Sequence, residues 1–470
     1  MSTFEQRAHV ALHNAPLQAN LKRGMNYFAN ARVAALAATG DPLGLRQRGK
    51  AIRDACIAHM DVHLATLAEN VERNGGVVHW AGDAAEARQI ILDLARREGV
   101  KLVVKSKSMA TEEIELNHAL EQAGIVVAET DLGEYIAQHA HEPPSHIIAP
   151  IVHKNKEEVA AVVSRVAGHP IPPDPIAINN FARSDLRQKF LSAEMGISGA
   201  NFAVAETGTV VLVTNEGNGR LCTSAPRIHI AVMGADKVIP TLDDLAVLLS
   251  LLTRSATGQP ISVYVSMLSG PKRAEDVDGP EQFHLVIMDN ARSQFFGGEF
   301  QEMLNCIRCG ACLNVCPVYK ATGGHAYGAC YSGPMGAVLM PGLGGLSDFG
   351  DLAHASSLCG ACRDACPVMI DIPRMLVAWR RRAPHSPVEK LIFRLTRAGM
   401  TSPLLYRLGV TFGRLGLRLF TKDGRVQHGP PPINRWTHGR DFPPIAQRTF
   451  HERWKEIALE GNEGNKGDFK

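Results

Sequence analysis

Cys306-Ile-Arg-Cys309-Gly-Ala-Cys312-Leu-Asn-Val-Cys316-Pro317 is answered further along by Ser356-Ser-Leu-Cys359-Gly-Ala-Cys362-Arg-Asp-Ala-Cys366-Pro367. The first run has the spacing C-x2-C-x2-C-x3-C-P, and the second repeats its last part. Loops this short let one turn of backbone present three thiolates to three corners of a cubane. The cysteine before the proline is turned away and reaches the other cluster. On that logic Cys306, Cys309, Cys312 and Cys366 hold one 4Fe–4S cluster, and Cys316, Cys359 and Cys362 hold three corners of a second. A structural zinc site would use four thiolates in C-x2-C pairs. It would leave the third closely spaced cysteine and the twice-repeated Cys-Pro ending unexplained. The C-x3-C-x2-C run of a radical-generating site is absent.

Ser356 stands where the second run would have its first cysteine. Three arrangements are open: Ser356 or solvent supplies the fourth corner, the cluster is 3Fe–4S, or Cys330 folds back to complete it. For Cys330 the simpler reading is a small buried thiol. Cys56 and Cys222 have no second cysteine near them in sequence and are not expected as ligands. Fewer thiolates mean less negative charge on a cluster. The Cys316, Cys359 and Cys362 cluster is therefore expected to be the easier to reduce and the more easily lost.

Thiols kept for metal suit a reducing compartment, and the rest of the chain agrees. The start, Met-Ser-Thr-Phe-Glu-Gln-Arg, has no apolar run behind a basic segment and reads against a secretory signal. The most apolar stretch, Leu245 to Leu252, is far shorter than the roughly 20 residues a membrane-spanning helix needs. The expected location is the cytoplasm, free or peripheral at the inner face of the membrane. A net charge of +3 over 470 residues argues for no nucleic-acid partner.

Four regions follow from the patterning. Residues 1–65 read as a helical segment covering the next domain, with Ile52, Cys56, Met60 and His63 or Leu64 on one face. Residues 66–292 alternate between strand and helix, which predicts a parallel or mixed sheet with helices on its faces. Strands are expected at Val77–Trp80, Lys101–Lys105, Ile125–Ala128, Ile228–Met233, Ile261–Val265 and His284–Met288. Helices are expected at Ala84–Arg97 and Thr111–Ala123, and a hairpin-like stretch at Ala203–Thr214. Residues 293–383 are Gly-rich and weakly periodic, as expected where metal rather than a large apolar core holds the chain. Residues 384–470 are basic and end in a polar tail. Arg374 to Arg425 carries twelve Lys or Arg against two acidic residues. Within it Arg407, Arg414 and Arg418 lie near one helical face, and Leu405, Leu408, Phe412, Leu415 and Leu419 largely on another. That pattern suits a solvated packing helix, an acidic partner or an anionic membrane surface.

The α/β region has weaker signals. Glu206-Thr-Gly-Thr, Thr214-Asn-Glu-Gly-Asn-Gly-Arg220 and Lys105-Ser-Lys-Ser-Met could each hold an anion, but tight turns and capped loops explain them equally well. Neither G-x-G-x-x-G nor G-x4-G-K-[ST] occurs. His153, His229 and His284 lack zinc spacing and read as core or surface histidines.

Taken in order, Lys105-Ser-Lys-Ser-Met-Ala-Thr-Glu-Glu-Ile, Ala205-Glu-Thr-Gly-Thr, Thr214-Asn-Glu-Gly-Asn and the two cysteine runs resemble the iron–sulfur subunit of the bacterial L-lactate utilisation system, the LutB type. The resemblance implies a LUD-type α/β domain, related to the NagB/CoA-transferase folds, fused to a ferredoxin-like helical two-cluster module. It implies two 4Fe–4S clusters on the seven cysteines of the two runs. It also implies two partners in a complex oxidising L-lactate to pyruvate: a cysteine-rich subunit similar to heterodisulfide reductase, and a stand-alone LUD-domain subunit. The expected role is electron transfer without a catalytic residue in this chain. The alternatives are a self-contained enzyme acting on an acyl or phosphorylated substrate in the α/β domain, and a cluster-based redox regulator. No recognisable DNA-binding module supports the last.

Overall fold

A computed structural model describes residues 3–383, 387–429, 434–437, 441–450 and 453–454. The chain divides into two compact units, residues 1–383 and 384–470.

The first unit is built on ten strands: β1 Val77–Ala81, β2 Leu102–Lys105, β3 Val126–Glu129, β4 Met195–Ser198, β5 Phe202–Val204, β6 Thr209–Thr214, β7 Ile228–Gly234, β8 Val238–Ile239, β9 Tyr264–Leu268 and β10 Gln282–Met288. Six of them form a wholly parallel sheet in the order β1-β10-β7-β4-β2-β3. The central β7 is buried along its length. Its sequence, Ile-His-Ile-Ala-Val-Met-Gly, is the near-continuous apolar run that a strand covered on both faces requires. His229 fits there because its Nε2 meets Ser198 Oγ at 2.8 Å. Burial pushes its pKa down to about 3, so the ring stays neutral. The other four strands form a mixed sheet, β8-β5-β6-β9, which contains the expected hairpin as β5 and β6.

Helices pack on the parallel sheet where the sequence supplies caps and apolar stripes. Asp83 accepts from Glu86 N to start the helix Ala84–Arg97, which buries Ala87, Ile91 and Leu94. Two expectations shift. The single helix expected at Thr111–Ala123 is two, Met109–Glu113 and Leu116–Gln122, divided at Glu115, whose φ is 50°. The break leaves Glu113 at the end of the first helix, where it meets Arg292 at 2.8 Å. The strand expected at Ile261–Val265 begins at Tyr264 and pairs with β6. Ile261 and Val263 stay exposed before it, and Val263 N donates to Asn215 Oδ1.

The N-terminal segment forms the helices Phe4–Leu12, Ala15–Ala37, Pro42–Ala58 and Met60–Arg73. The expected apolar face is buried at Cys56, Met60 and Leu64, although His59 divides it between two helices. This layer shares one core with both neighbours. Leu21, Met25 and Leu67 belong to the same cluster as Val210 and Val238 of the small sheet and as Met303, Leu313, Val338 and Trp379 of the cysteine-rich region. The cysteine-rich region thus contributes substantially to a large shared apolar core, contrary to the reading from its weak periodicity. Its helix Gly333–Leu343 is buried from Gly333 to Pro341. A helix buried on every side carries no amphipathic period to detect.

In the second unit the helices Pro387–Thr401 and Pro403–Arg418 precede a short antiparallel pair, Thr421–Lys422 with Arg425–Val426. The polar tail beyond residue 454 lies outside the described residues.

Arg53 ties three segments of the first unit together. From the helix Pro42–Ala58 its guanidinium donates to Val238 O at 3.0 Å, Leu304 O at 2.9 Å, Asn305 O at 3.3 Å and Asp236 O. Arg53→Leu strands these buried carbonyls. It is expected to cost about 3 kcal/mol or more, read as a lower urea midpoint by circular dichroism with iron released in the same transition.

Candidate iron–sulfur centre and the adjoining cavity

The two cysteine runs adopt the same local structure. Arg308 and Gly310 have φ of 58° and 77°, and their counterparts Leu358 and Gly360 have φ of 56° and 86°. Each glycine opens a one-turn helix, Ala311–Val315 or Ala361–Ala365, and a proline follows the last cysteine. The left-handed turns curl the backbone around the sulfurs. Arg308 N donates to Cys306 Sγ at 3.4 Å, and at the equivalent place Leu358 N donates to Ser356 Oγ at 3.1 Å. Ser356 therefore occupies the position of a first cysteine in conformation as well as in spacing.

The thiols fall into two neighbouring groups. Burial, then the Cys366 and Cys306 thiolates, pushes Cys309 up to about 12. Burial, then Cys306, Cys309, Cys362 and Cys366, pushes Cys312 well above the usual thiol range. Burial and Cys316 push Cys362 up to about 12, with Cys359 also contributing. Cys312 also feels the charge of Cys362, and the one-turn helices Ala311–Val315 and Ala361–Ala365 pack together, which sets the groups side by side. Cys359 differs: it is exposed, and the Ala361 N–H lowers its pKa. Cys330 lies apart from both groups, with its thiol 3.8 Å from Met340 Sδ and with Glu113 close by.

These residues fit iron–sulfur clusters. Buried, crowded thiols ionise only when a metal supplies compensating charge. Among the described residues no three cysteine sulfurs lie within 4.8 Å of one another, whereas sulfurs sharing a tetrahedral zinc stand about 3.8 Å apart, given a Zn–S bond of about 2.3 Å. Backbone N–H groups of Ala311, Val368, Ile370, Val318 and Tyr319 face Cys309, Cys366 and Cys316, the hydrogen bonds that set cluster potential. Cations gather around the first group. Arg32 faces Cys309 and Cys366, Arg46 donates to Cys366 O at 2.9 Å, and Arg308 and Lys237 face Cys306. Such charges raise a cluster's potential and oppose the effect of its full thiolate count.

Against this buried group lies a cavity of about 330 Å³ at the carboxyl ends of the parallel strands, the place where open α/β sheets bind ligands. Lys107 follows β2, Asp131 β3, Asn201 β4, Lys237 β7 and Arg292 β10, and Arg308 of the first cysteine run closes one side. Arg292 bridges Glu113 at 2.8 Å and Asp236 at 2.6 Å. Arg308 reaches the other Asp236 oxygen at 3.4 Å, and Tyr331 OH donates to Glu113 at 2.7 Å. Burial alone would raise both carboxyl groups, but Arg292 outweighs it and holds them below the usual carboxylate range. Burial, with Arg308 beside it, pulls Lys237 down to about 7.

Of the polar segments singled out in the sequence, Ser106–Met109 and Thr214–Glu216 line this cavity. Glu206 does not; its carboxylate accepts from Leu242 N at 2.6 Å and caps the helix Leu242–Ala256. Arg220 sits over the Tyr264 ring, 4.6 Å from its centroid. His284 pairs with His79 at 3.1 Å, and His153 with Glu142 at 2.8 Å. Lys237, Arg292 and Arg308 were not found from sequence. Their one signal is position, since two follow buried strands and the third lies inside a cysteine run.

Comparison with known proteins gives a consistent picture. Residues 64–288 match the LUD domain, 302–370 a 4Fe-4S dicluster domain, and 376–458 the C-terminal domain of lactate utilisation protein B. The chain is 44% identical over 468 residues to lactate utilization protein B of Lysinibacillus sphaericus, covering 98% of each chain. It is 47% identical over 423 residues to that of Geobacillus kaustophilus, covering 89% of each. A crystal structure of a DUF162 family protein from Deinococcus radiodurans aligns with a TM-score of 0.28 and 13% identity, over 49% of this chain and 98% of its own.

The serine position makes the second group adjustable. Ser356→Cys is expected to raise iron per chain and lower the potential of the second centre, because a thiolate adds negative charge. Cys330→Ser is expected to leave iron content and absorption unchanged. Iron analysis and a redox titration of the two variants check both; iron loss in Cys330→Ser would make that thiol a ligand.

Proposed function

The chain belongs to the lactate utilisation protein B family, and from that premise we propose that it is the electron-transferring iron–sulfur subunit of a complex that oxidises L-lactate to pyruvate. Cys306, Cys309, Cys312 and Cys366 would hold one 4Fe–4S cluster. Cys316, Cys359 and Cys362 would hold the second, with Ser356 at its fourth corner. Such clusters, when bound, pass electrons singly. The observation that carries the reading is the graded burial of the two adjacent thiol groups, from Cys309 and Cys312 inside to Cys359 at the surface. Buried residues around the first group exclude water, and the exposed edge of the second leaves it open to a partner. Lactate gives up an electron pair, and the sequence has no flavin or nicotinamide fingerprint to receive it. The oxidation is therefore assigned to an assembly with a cysteine-rich, heterodisulfide-reductase-like subunit and a stand-alone LUD-domain subunit.

The isolated protein is expected to be brown and chemically reducible, with no lactate-dependent bleaching until both partners are added. Cys309→Ser and Cys362→Ser should each abolish lactate oxidation by the assembled system while circular dichroism reports an intact α/β domain. The deciding measurement is an anaerobic titration of the pure protein with L-lactate. Stoichiometric bleaching with no partner present would overturn the relay assignment.

A second reading concerns residues 387–418. No helix among the described residues is long and apolar enough to cross a membrane. Yet Leu391, Leu395, Phe412 and Leu415 are exposed on helices that also carry Arg394, Arg397, Arg407, Arg414 and Arg418, and Leu419 is exposed at the cap that follows. Apolar residues flanked by arginines suit an anionic membrane surface. Charge reversal at Arg407, Arg414 and Arg418 should cut co-sedimentation with anionic vesicles, and wild-type binding should fall as salt rises. Unaltered sedimentation would sink this reading, and salt-sensitive pull-down of a partner subunit instead would assign the face to an acidic protein.

A further inference from the structure

Outside the cysteine runs, one group of metal-ligating side chains comes together. A ring nitrogen each from His153 and His325 and a carboxylate oxygen of Glu142 lie within 4.8 Å of one another, the one such trio of His, Cys, Asp or Glu among the described residues. Glu142 and His153 flank the loop that carries Ser145 and His146, between the helices Leu132–His139 and Lys156–Ala167. His325 comes from the cysteine-rich region, in the turn after the helix Pro317–Thr322 that follows Cys316. Gly324 permits the meeting. A Cβ there would stand 1.7 Å from Ser145 O, so any other residue would hold the turn away from the loop. Tyr319 OH donates to the same Ser145 oxygen at 2.6 Å and fixes the approach.

Hydrogen bonding within the trio does not use it up. Lys154 Nζ donates to Glu142 Oε1 at 2.7 Å, and His153 Nε2 donates to Oε2 at 2.8 Å. His153 Nδ1 is then a lone pair, buried and with no partner among the described residues, on a side chain only 10% exposed. His325 Nε2 meets Pro143 O at 2.8 Å and must donate, because a carbonyl only accepts. That bond leaves its Nδ1 as a lone pair too, and holds the ring by a backbone carbonyl in the way that orients metal-bound histidines. A neutral ring can carry its hydrogen on either nitrogen, so His153 can present either one to an ion. Lys154 keeps the Glu142 carboxylate in place through Oε1, and Oε2 has lone pairs beyond the one that meets His153.

Two imidazoles and one carboxylate suit Zn2+, which takes nitrogen and oxygen donors tetrahedrally. Mg2+ and Ca2+ take oxygen ligands instead. Donors around a tetrahedral zinc stand about 3.3 Å apart, so side-chain rotations of about an ångström close the trio on the ion. We propose that Glu142, His153 and His325 form a mononuclear Zn2+ site, separate from the cysteine framework, with water in the fourth position. The exposure of His325 leaves that position open to solvent. The bound ion clamps both ends of the loop 142–153 to the cysteine-rich region. The same loop reaches the first cysteine run, where His146 Nε2 lies 3.1 Å from Asn314 Oδ1.

The test is anaerobic equilibrium dialysis of the cluster-loaded full chain against Zn2+, with zinc and iron counted per chain and the zinc environment read by X-ray absorption. One zinc per chain is expected, bound through nitrogen and oxygen at about 2.0–2.2 Å, with iron unchanged. His325→Ala removes an exposed ligand, and Glu142→Gln keeps the shape of the side chain. Each should weaken zinc binding about 100-fold or more, since even outer-shell partners of a metal are worth about 10- to 100-fold. Zn2+ should raise the thermal midpoint of the wild type and leave that of His325→Ala where it is. The proposal is overturned if the wild type takes up no zinc, or if His325→Ala takes up zinc as well as the wild type does. A zinc–sulfur shell near about 2.3 Å would put the ion in the cysteine loops and overturn it as well. Mg2+ competing equally with Zn2+ would reduce the trio to a general electrostatic attraction, with the same consequence. Preference for Fe2+ over Zn2+ would overturn the choice of ion and keep the site.

Discussion

Arg292 is the residue on which the arrangement of the first unit turns. It follows the last strand of the parallel sheet, and its two carboxylate partners come from the loop after β7 and the short helix after β2. The same two carboxylates receive Arg308 and Tyr331 from the cysteine-rich region. Four charged groups buried at one point are expensive to desolvate and are stable only when each is matched. That requirement fixes the register of the cysteine-rich region on the sheet far more narrowly than apolar contact could, because hydrophobic packing is non-directional. The first cysteine run thus faces the strand ends and not a flank of the domain.

The two halves of the cysteine framework are alike in backbone and unlike in surroundings. One is enclosed by cations from the N-terminal helices and the loop after β7. The other has a serine in place of a thiol and an exposed cysteine at its rim. Repetition of a local motif supplies two similar ligand loops, and the residues packed around each make them different. With clusters bound, both levers that tune cluster potential, ligand charge and nearby positive charge, would be in use, and they would act in opposite directions on the two sites.

How much of this the sequence revealed depended on the kind of signal. Spacing is local, so the grouping of Cys306, Cys309 and Cys312, and the serine at position 356, could be read directly. Alternation of strands and helices is also local and gave the α/β class. The small mixed sheet was half legible: its hairpin showed, but β9 was misplaced because Ile261 and Val263 are apolar residues left in solvent. The helix Gly333–Leu343 was missed as core because burial on all sides erases periodicity. Lys237 and Arg292 carry no motif. They matter through where the parallel topology puts the ends of β7 and β10, and that is a property of strand order, which no window of sequence contains.

The continuous apolar core has a consequence for the life of the protein in a cell. Leu21, Val210 and Leu313, from three regions of the chain, lie in one packed cluster, so the sheet and the thiol loops do not unfold as independent parts. Free energy released on loading metal is then shared by the whole first unit. A chain that fails to acquire iron loses stability throughout and spends more time in open forms accessible to proteases. Quality control of the polypeptide and supply of its metal would then become one process: degradation would remove the empty chains and leave the loaded ones.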